Sequence, residues 1–145
     1  MTKHEYTRPQ CIYFAHPYGG EPENIARAES WLTYLSGEFA IAPIATWTTL
    51  CRHWSEDRRA LGLDIDRALV ELAGVLVACG GWSPGVRQEA GWARVVVDLT
   101  DLTRSEPSGL TLRGYAELTR RLAAAGIAAR EPQPLHANAG ACVPR

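Results

Sequence analysis

The segment Gly80-Gly81-Trp82-Ser83-Pro84-Gly85-Val86-Arg87-Gln88-Glu89 carries the densest chemistry in the chain. An apolar run feeds a glycine turn, and Ser83 followed by Pro84 reads as a helix cap with proline at the first helical position. The free N–H groups and dipole of such an end attract anions. Gly85 lets a phosphate approach the main chain closely. Glu89 lies four residues on, roughly 6 Å down the axis at a rise of about 1.5 Å per residue. That is about the reach from a 5′-phosphate across a ribose to its anomeric carbon, so one nucleotide can touch both the cap and the carboxylate. The dipole at this helix end favours the ionised form of Glu89. The plain alternative is a capped helix with a surface glutamate. Trp47, Trp54 and Trp82 offer stacking faces for a base, or serve as packing. His16, at a strand end, is either an anion contact or a hydrogen-bonded structural histidine. His53 sits among polar residues and reads as solvated.

These groups need a scaffold, and the apolar pattern supplies one. Cys11 to Ala15 reads as a buried strand running into the glycine-rich turn His16-Pro17-Tyr18-Gly19-Gly20. Pro22 opens a helix in which Ile25, Ala28, Trp31, Leu32 and Leu35 recur at helical spacing, with Gly37 as its stop. Phe39 to Ala42 reads as a second strand closed by Pro43. Residues 46–54 read as a loop with one helical turn. Ser55 to Arg58 starts a helix that Gly62 breaks. Asp64 caps another, with Ile65, Ala68, Leu69 and Leu72 on one face. Gly74 to Cys79 is the strongest strand and lacks polar alternation, as in a parallel sheet covered on both faces. Val86, Ala90, Ala93 and Val97 run down one side of the helix after Ser83. Val95-Val96-Val97 either extends that helix or begins a fourth strand. Arg104 to Gly109 is a loop. Leu112, Tyr115, Leu118 and Leu122 mark a last helix stopping at Gly126.

This alternation implies a single doubly wound, Rossmann-like α/β domain over 1–126. It has a mainly parallel sheet of four or five strands flanked by helices. Residues 127–145, with three prolines and little periodicity, read as a loosely packed C-terminal tail. Ligands of such folds bind at the carboxyl ends of strands, here Tyr13 to Gly20, Pro43 to Trp54 and Cys79 to Gly85.

The 145 residues suit one domain, at about 100–200 residues per domain. The apolar fraction of 46% offsets chain entropy and argues against long disorder. A net charge of −1 argues against a nucleic-acid polymer as partner, since such binders are clearly basic. The longest uncharged stretch, Leu72 to Val86, is too short and too interrupted by glycine and proline to span a bilayer, so no membrane is expected. The first residues lack the apolar core of a secretory signal. Cys11, Cys51, Cys79 and Cys142 form no CxxC pair, which fits reduced thiols in a cytoplasmic chain and no metal site.

Tyr13 to Gly20, then Asn24 with Arg27-Ala28, then Asp66, then Ser83 to Glu89 with Ala93, resemble the nucleoside 2-deoxyribosyltransferase-like superfamily. That superfamily includes the 2′-deoxynucleoside 5′-phosphate N-hydrolases. Uncharacterised phage and bacterial members resemble the chain further at Trp54, Glu56-Asp57, Gly62-Leu63 and Asp66. The resemblance covers roughly residues 11 to 97. It implies Glu89 as the nucleophilic or ion-pairing carboxylate, and Asp66 as the acid that contacts the sugar and helps the leaving base. It implies Ser83 and Gly85 as the phosphate-binding pair, and Tyr13 with Tyr18, Gly19 and Gly20 as the loop enclosing the sugar. Gly74 stands where many members have an aspartate, His16-Pro17 replaces a glycine-containing pair, and the first loop has no arginine.

The expected function is therefore cleavage or transfer of the N-glycosidic bond of a (deoxy)nucleoside or its 5′-monophosphate. Glu89 and Asp66 are the catalytic pair, and no cofactor is implied. A homodimer or higher homo-oligomer is implied, because family members complete the sugar pocket from a neighbouring subunit. The alternative is a non-catalytic nucleotide-binding or nucleotide-sensing protein on the same scaffold.

Overall fold

A computed structural model describes residues 7–19, 21–45 and 56–131, the side chains of 56–59 excepted. Four parallel strands form one sheet in the order β2-β1-β3-β4. They are β1 (Gln10–Ala15), β2 (Ile41–Ile44), β3 (Val75–Ala78) and β4 (Val95–Asp98). The helices are α1 (Pro22–Glu38), α2 (Glu56–Ala73), α3 (Pro84–Trp92) and α4 (Leu112–Ala124), with a single 3-10 turn at Pro107–Gly109. The fold is α/β, doubly wound and Rossmann-like. No helix among the described residues is long and apolar enough to cross a membrane.

The absence of polar alternation in β1 and β3 has its cause in two covered faces. On one face Ile12, Phe14, Val75, Val77 and Val97 pack against Ala28, Trp31 and Leu35 of α1 and Leu118 and Leu122 of α4. On the other, Tyr13, Ala15, Leu76 and Ala78 pack against Val70 of α2 and Val86 of α3. Register places Tyr13 opposite Ile44 and Leu76 at the centre of the sheet.

Several boundaries differ from the sequence pattern for physical reasons. Pro43 lies inside β2 rather than closing it, which is tolerated because β2 is an edge strand and needs no ladder donor on its outer side. Phe39 makes an isolated antiparallel bridge to Ala129 instead of joining β2. Gly37 sits within α1, which runs on until Phe39 turns extended. Gly62 does not break α2. It is buried in a continuous helix, where a glycine costs only about 1 kcal/mol and leaves room for close packing. The buried side of α2 carries Gly62 and Val70, whereas Leu61, Ile65 and Leu72 are exposed. Of the apolar stripe expected to face the core on α2, Ile65, Ala68 and Leu72 point outward and Leu69 alone packs against it. Val95-Val96-Val97 is strand: three consecutive β-branched residues favour extended backbone, and Ala93 already leaves the helix at φ −78°, ψ 145°. Beyond Gly126 the chain stays attached. Ile127 is buried, Ala40 N–H donates to Ala128 O at 2.9 Å, and Arg130 N–H donates to Glu38 O at 2.8 Å.

Candidate active site

α3 begins as its sequence requires. Ser83 Oγ accepts the Val86 amide at 3.2 Å, Pro84 is the first helical residue, and the first intrahelical bond runs from Arg87 N–H to Ser83 O at 3.0 Å. Pro84 and Gly85 are exposed, so the helix end stands open to solvent. Trp82 is partly buried against the α2/α3 side of the core and lies 5.7 Å from the Arg87 guanidinium.

From that cap, Glu89 is carried to the inner side of α3. There it meets two groups from other elements. The Tyr13 hydroxyl, rising from β1 and only 2% exposed as a residue, donates a hydrogen bond to the Glu89 carboxylate. Asp66, partly buried on α2, is near enough for its charge to act on Glu89. Tyr13 stands two residues before the end of β1, roughly 7 Å below the strand rim. The trio thus lies where α2 and α3 pack on the sheet.

Burial pushes the Glu89 carboxyl up to about 7, and the Asp66 charge adds to the rise while the Tyr13 hydrogen bond opposes it. The helix end does not hold Glu89 ionised as the sequence suggested, because a dipole's influence fades within the first turn and Glu89 is on the second. A carboxyl poised near neutrality can give up or take a proton at working pH, the condition for acid–base or nucleophilic use.

The chain matches no protein-family model and no curated protein.

The carboxyl ends of β1 and β3 form the rim above this trio. His16, following β1, is buried; its Nδ1 lies 2.8 Å from Pro17 O and, since a carbonyl only accepts, carries the proton. Burial and the Arg27 charge lower its pKa against that bond, so the ring is neutral and offers no charge to an anion. Gly80 packs on this ring with φ +80°, and a Cβ there would overlap His16 Nε2. The Gly80 amide donates to Thr103 Oγ1 at 2.7 Å, and Thr103 Oγ1 donates to Leu99 O at 2.7 Å. The β3 turn is thereby tied to the segment after β4. Cys79 beside it is buried and its thiol is pushed up to about 12, so it stays protonated and is no nucleophile. Among the described residues no group of three or more His, Cys, Asp or Glu side chains is placed to hold a metal ion.

The structure therefore brings together Tyr13, Asp66 and Glu89 in one cluster, and His16 with Gly80 in a second at the rim. Ser83 and Gly85 stand at the open helix end. Tyr18 is partly buried against the α1/α4 side, and Gly19 is exposed with φ +51°. Gly20 and Trp47, like Trp54 and His53, lie outside the described residues. Gly74 takes φ +76° directly after α2, at the amino end of β3 and so opposite the rim. An aspartate there would be strained, which accounts for the glycine. Two interactions were not read from the sequence, although both residues were named there: the bond from Tyr13 to Glu89, and the charge of Arg27 reaching His16 from α1. Only the inward phase of Tyr13 on β1 and the placement of Arg27 one turn into α1 hinted at them.

Proposed function

We propose that this chain cleaves or transfers the N-glycosidic bond of a nucleoside or nucleoside 5′-monophosphate, with Glu89 as the carboxylate that meets the anomeric carbon. The observation that carries the reading is the half-buried Glu89 carboxyl, raised to about 7, bonded by Tyr13 and faced by Asp66. In the first step a Glu89 oxygen bonds to the anomeric carbon as the bond to the base nitrogen breaks. The electron pair leaves with the base, which takes a proton from water, while the Asp66 carboxylate can accept a hydrogen bond from the sugar or the departing base. Water, or a second base in the transfer variant, then attacks the anomeric carbon and releases Glu89. The end of α3 is the proposed seat of a 5′-phosphate: Gly85 is exposed there, and its amide with the helix dipole suits an anion, the Val86 and Arg87 amides being held by Ser83. Assembly into a homodimer or larger homo-oligomer, and a place in cytoplasmic nucleotide metabolism, belong to the same proposal.

The test is base release, followed by chromatography across a panel of nucleosides and monophosphates. The wild-type chain is expected to release base from at least one, with kcat/KM rising as pH passes about 7 and Glu89 ionises. Glu89→Ala should abolish release while leaving nucleotide affinity within about tenfold, roughly 1.4 kcal/mol. Nucleotide binding without base release from any member of the panel, or full activity in Glu89→Gln, would move the chain to a binding or sensing role.

A further inference from the structure

The two edges of the sheet are built differently. β2 carries Pro43, which has no amide to offer, whereas β4 reads Val-Val-Val-Asp and contains neither proline nor lysine. Val95 and Val96 are each 39% exposed, while Val97 is buried. On β4 the Val95 amide donates to Gly74 O at 3.0 Å and the Leu99 amide to Ala78 O at 2.9 Å, so the odd-numbered residues turn their main chain towards β3. By the alternation of a strand, Val96 and Asp98 turn theirs outward. A strand edge with no neighbouring strand among the described residues is a template for another strand.

We propose that β4 is the surface through which two copies of this chain pair, edge to edge and antiparallel, about a two-fold axis at Val96. That register sets Val96 against Val96, Val95 against Val97, and Arg94 against Asp98 of the second copy. The outward groups are the ones it uses. Val96 N–H meets Val96 O, and Asp98 N–H meets Arg94 O, each made twice by symmetry. The remaining groups are already satisfied: the Arg94 amide donates to Gly74 O at 3.1 Å, and Asp98 O accepts from Arg121 Nη1 at 2.9 Å. Centring the pair on Val95 or Val97, a shift of two residues, would set Val96 against Arg94 or Asp98 and so a charge against an apolar side chain.

Side-chain chemistry selects the same register. Residues 94, 96 and 98 share the α2/α3 face, so each Arg94 stands beside an Asp98 and the patch is complementary to itself. Arg94 is exposed and in the single chain folds back across Gly74, from where its long stem can swing outward. Asp98 Oδ1 accepts the Thr100 amide and hydroxyl at 2.9 and 2.6 Å, which leaves Oδ2 for the guanidinium. On the opposite face an open groove of about 630 Å³ runs between β4 and the Arg121, Ala124 and Ala125 end of α4. The Val95 side chain of the second copy enters it beside Val97. This pairing rests on the homo-oligomer of the proposed function and gives it an interface, but base release tests the chemistry apart from it, since the sheet edge does not include Glu89.

The test is sedimentation equilibrium of the full chain, with folding of each variant checked by circular dichroism. Wild type is expected to sediment at twice the chain mass or more. Arg94→Glu opposes two acids across the axis, Asp98→Lys opposes two bases, and Val96→Lys sets like charges at the axis. Each should halve the assembled mass or weaken association at least tenfold. An equimolar mixture of Arg94→Glu and Asp98→Lys should reassemble, because every facing pair is then opposite in sign. If Asp98→Lys fails to fold, Arg94→Glu and Val96→Lys carry the test. A monomeric wild type, an assembly that ignores Arg94→Glu and Val96→Lys, or folded charge variants that fail to combine when mixed would each overturn the proposal.

Discussion

Replacing Glu89 with glutamine should make the protein more stable, and only at the pH where the buried acid is charged. Glu89 has its pKa raised from an ordinary 4.5 to about 7, chiefly by burial, then by the Asp66 charge, against the Tyr13 hydrogen bond. An acid raised in the folded state holds its proton more tightly there than in the unfolded chain. Below about pH 4.5 both states are protonated and nothing is lost. Between about 4.5 and 7 the folded state binds more protons, so stability falls as pH rises, and above about 7 the full cost of the buried charge is present. At about 1.36 kcal/mol per pH unit, that window is worth on the order of 3 kcal/mol. Glutamine has the same shape, carries no charge, and its side-chain carbonyl can still accept from Tyr13. Urea unfolding of both proteins at pH 4.5, 6, 7 and 8.5 should therefore give a difference near zero at the acid end, growing to about 3 kcal/mol in favour of the variant at pH 8.5. A difference that stays within about 0.5 kcal/mol at all four pH values is what a solvated surface glutamate gives. That result would refute the buried cluster and the chemistry built on it.

Tyr13→Phe removes the donor that favours the Glu89 anion, so the Glu89 carboxyl should titrate above its wild-type value of about 7 when followed by carbon NMR, and the rise of base release should move to higher pH with it. Asp66→Asn removes a like charge and should shift the same titration downward, while lowering turnover far more than it changes the urea midpoint. Gly80→Ala places a methyl against His16 Nε2 at a backbone φ of +80°, and should cost about 2–3 kcal/mol by chemical denaturation. A loss below about 0.5 kcal/mol would show that the β3 turn is not held against His16.

The features legible in the sequence were those set by short-range rules. The cap at Ser83, proline at position one of α3, the uninterrupted apolar run of β3 and the stop at Gly126 each follow from local geometry, and the structure has them all. Tertiary context decided the rest. Pro43 is admitted to β2 only because that strand is at an edge, which no local pattern states. Gly62 is tolerated in α2 because it is buried. Ile65 and Leu72 obey helical spacing as well as any core residues do, yet the helix is rotated so that Gly62 and Val70 face inward. That rotation is also what brings Asp66 towards Glu89, since Gly62 and Asp66 lie one turn apart on the same side. A helix seated by its apolar stripe would have turned the acid away. The burial that raises Glu89 is likewise a property of three elements at once: β1 supplies the hydroxyl, α2 the neighbouring charge, and α3 the carboxyl itself. The apolar surface left exposed on α2 and the raised acid at Glu89 thus follow from one placement, which sacrifices local stability to set two acids and a tyrosine side by side.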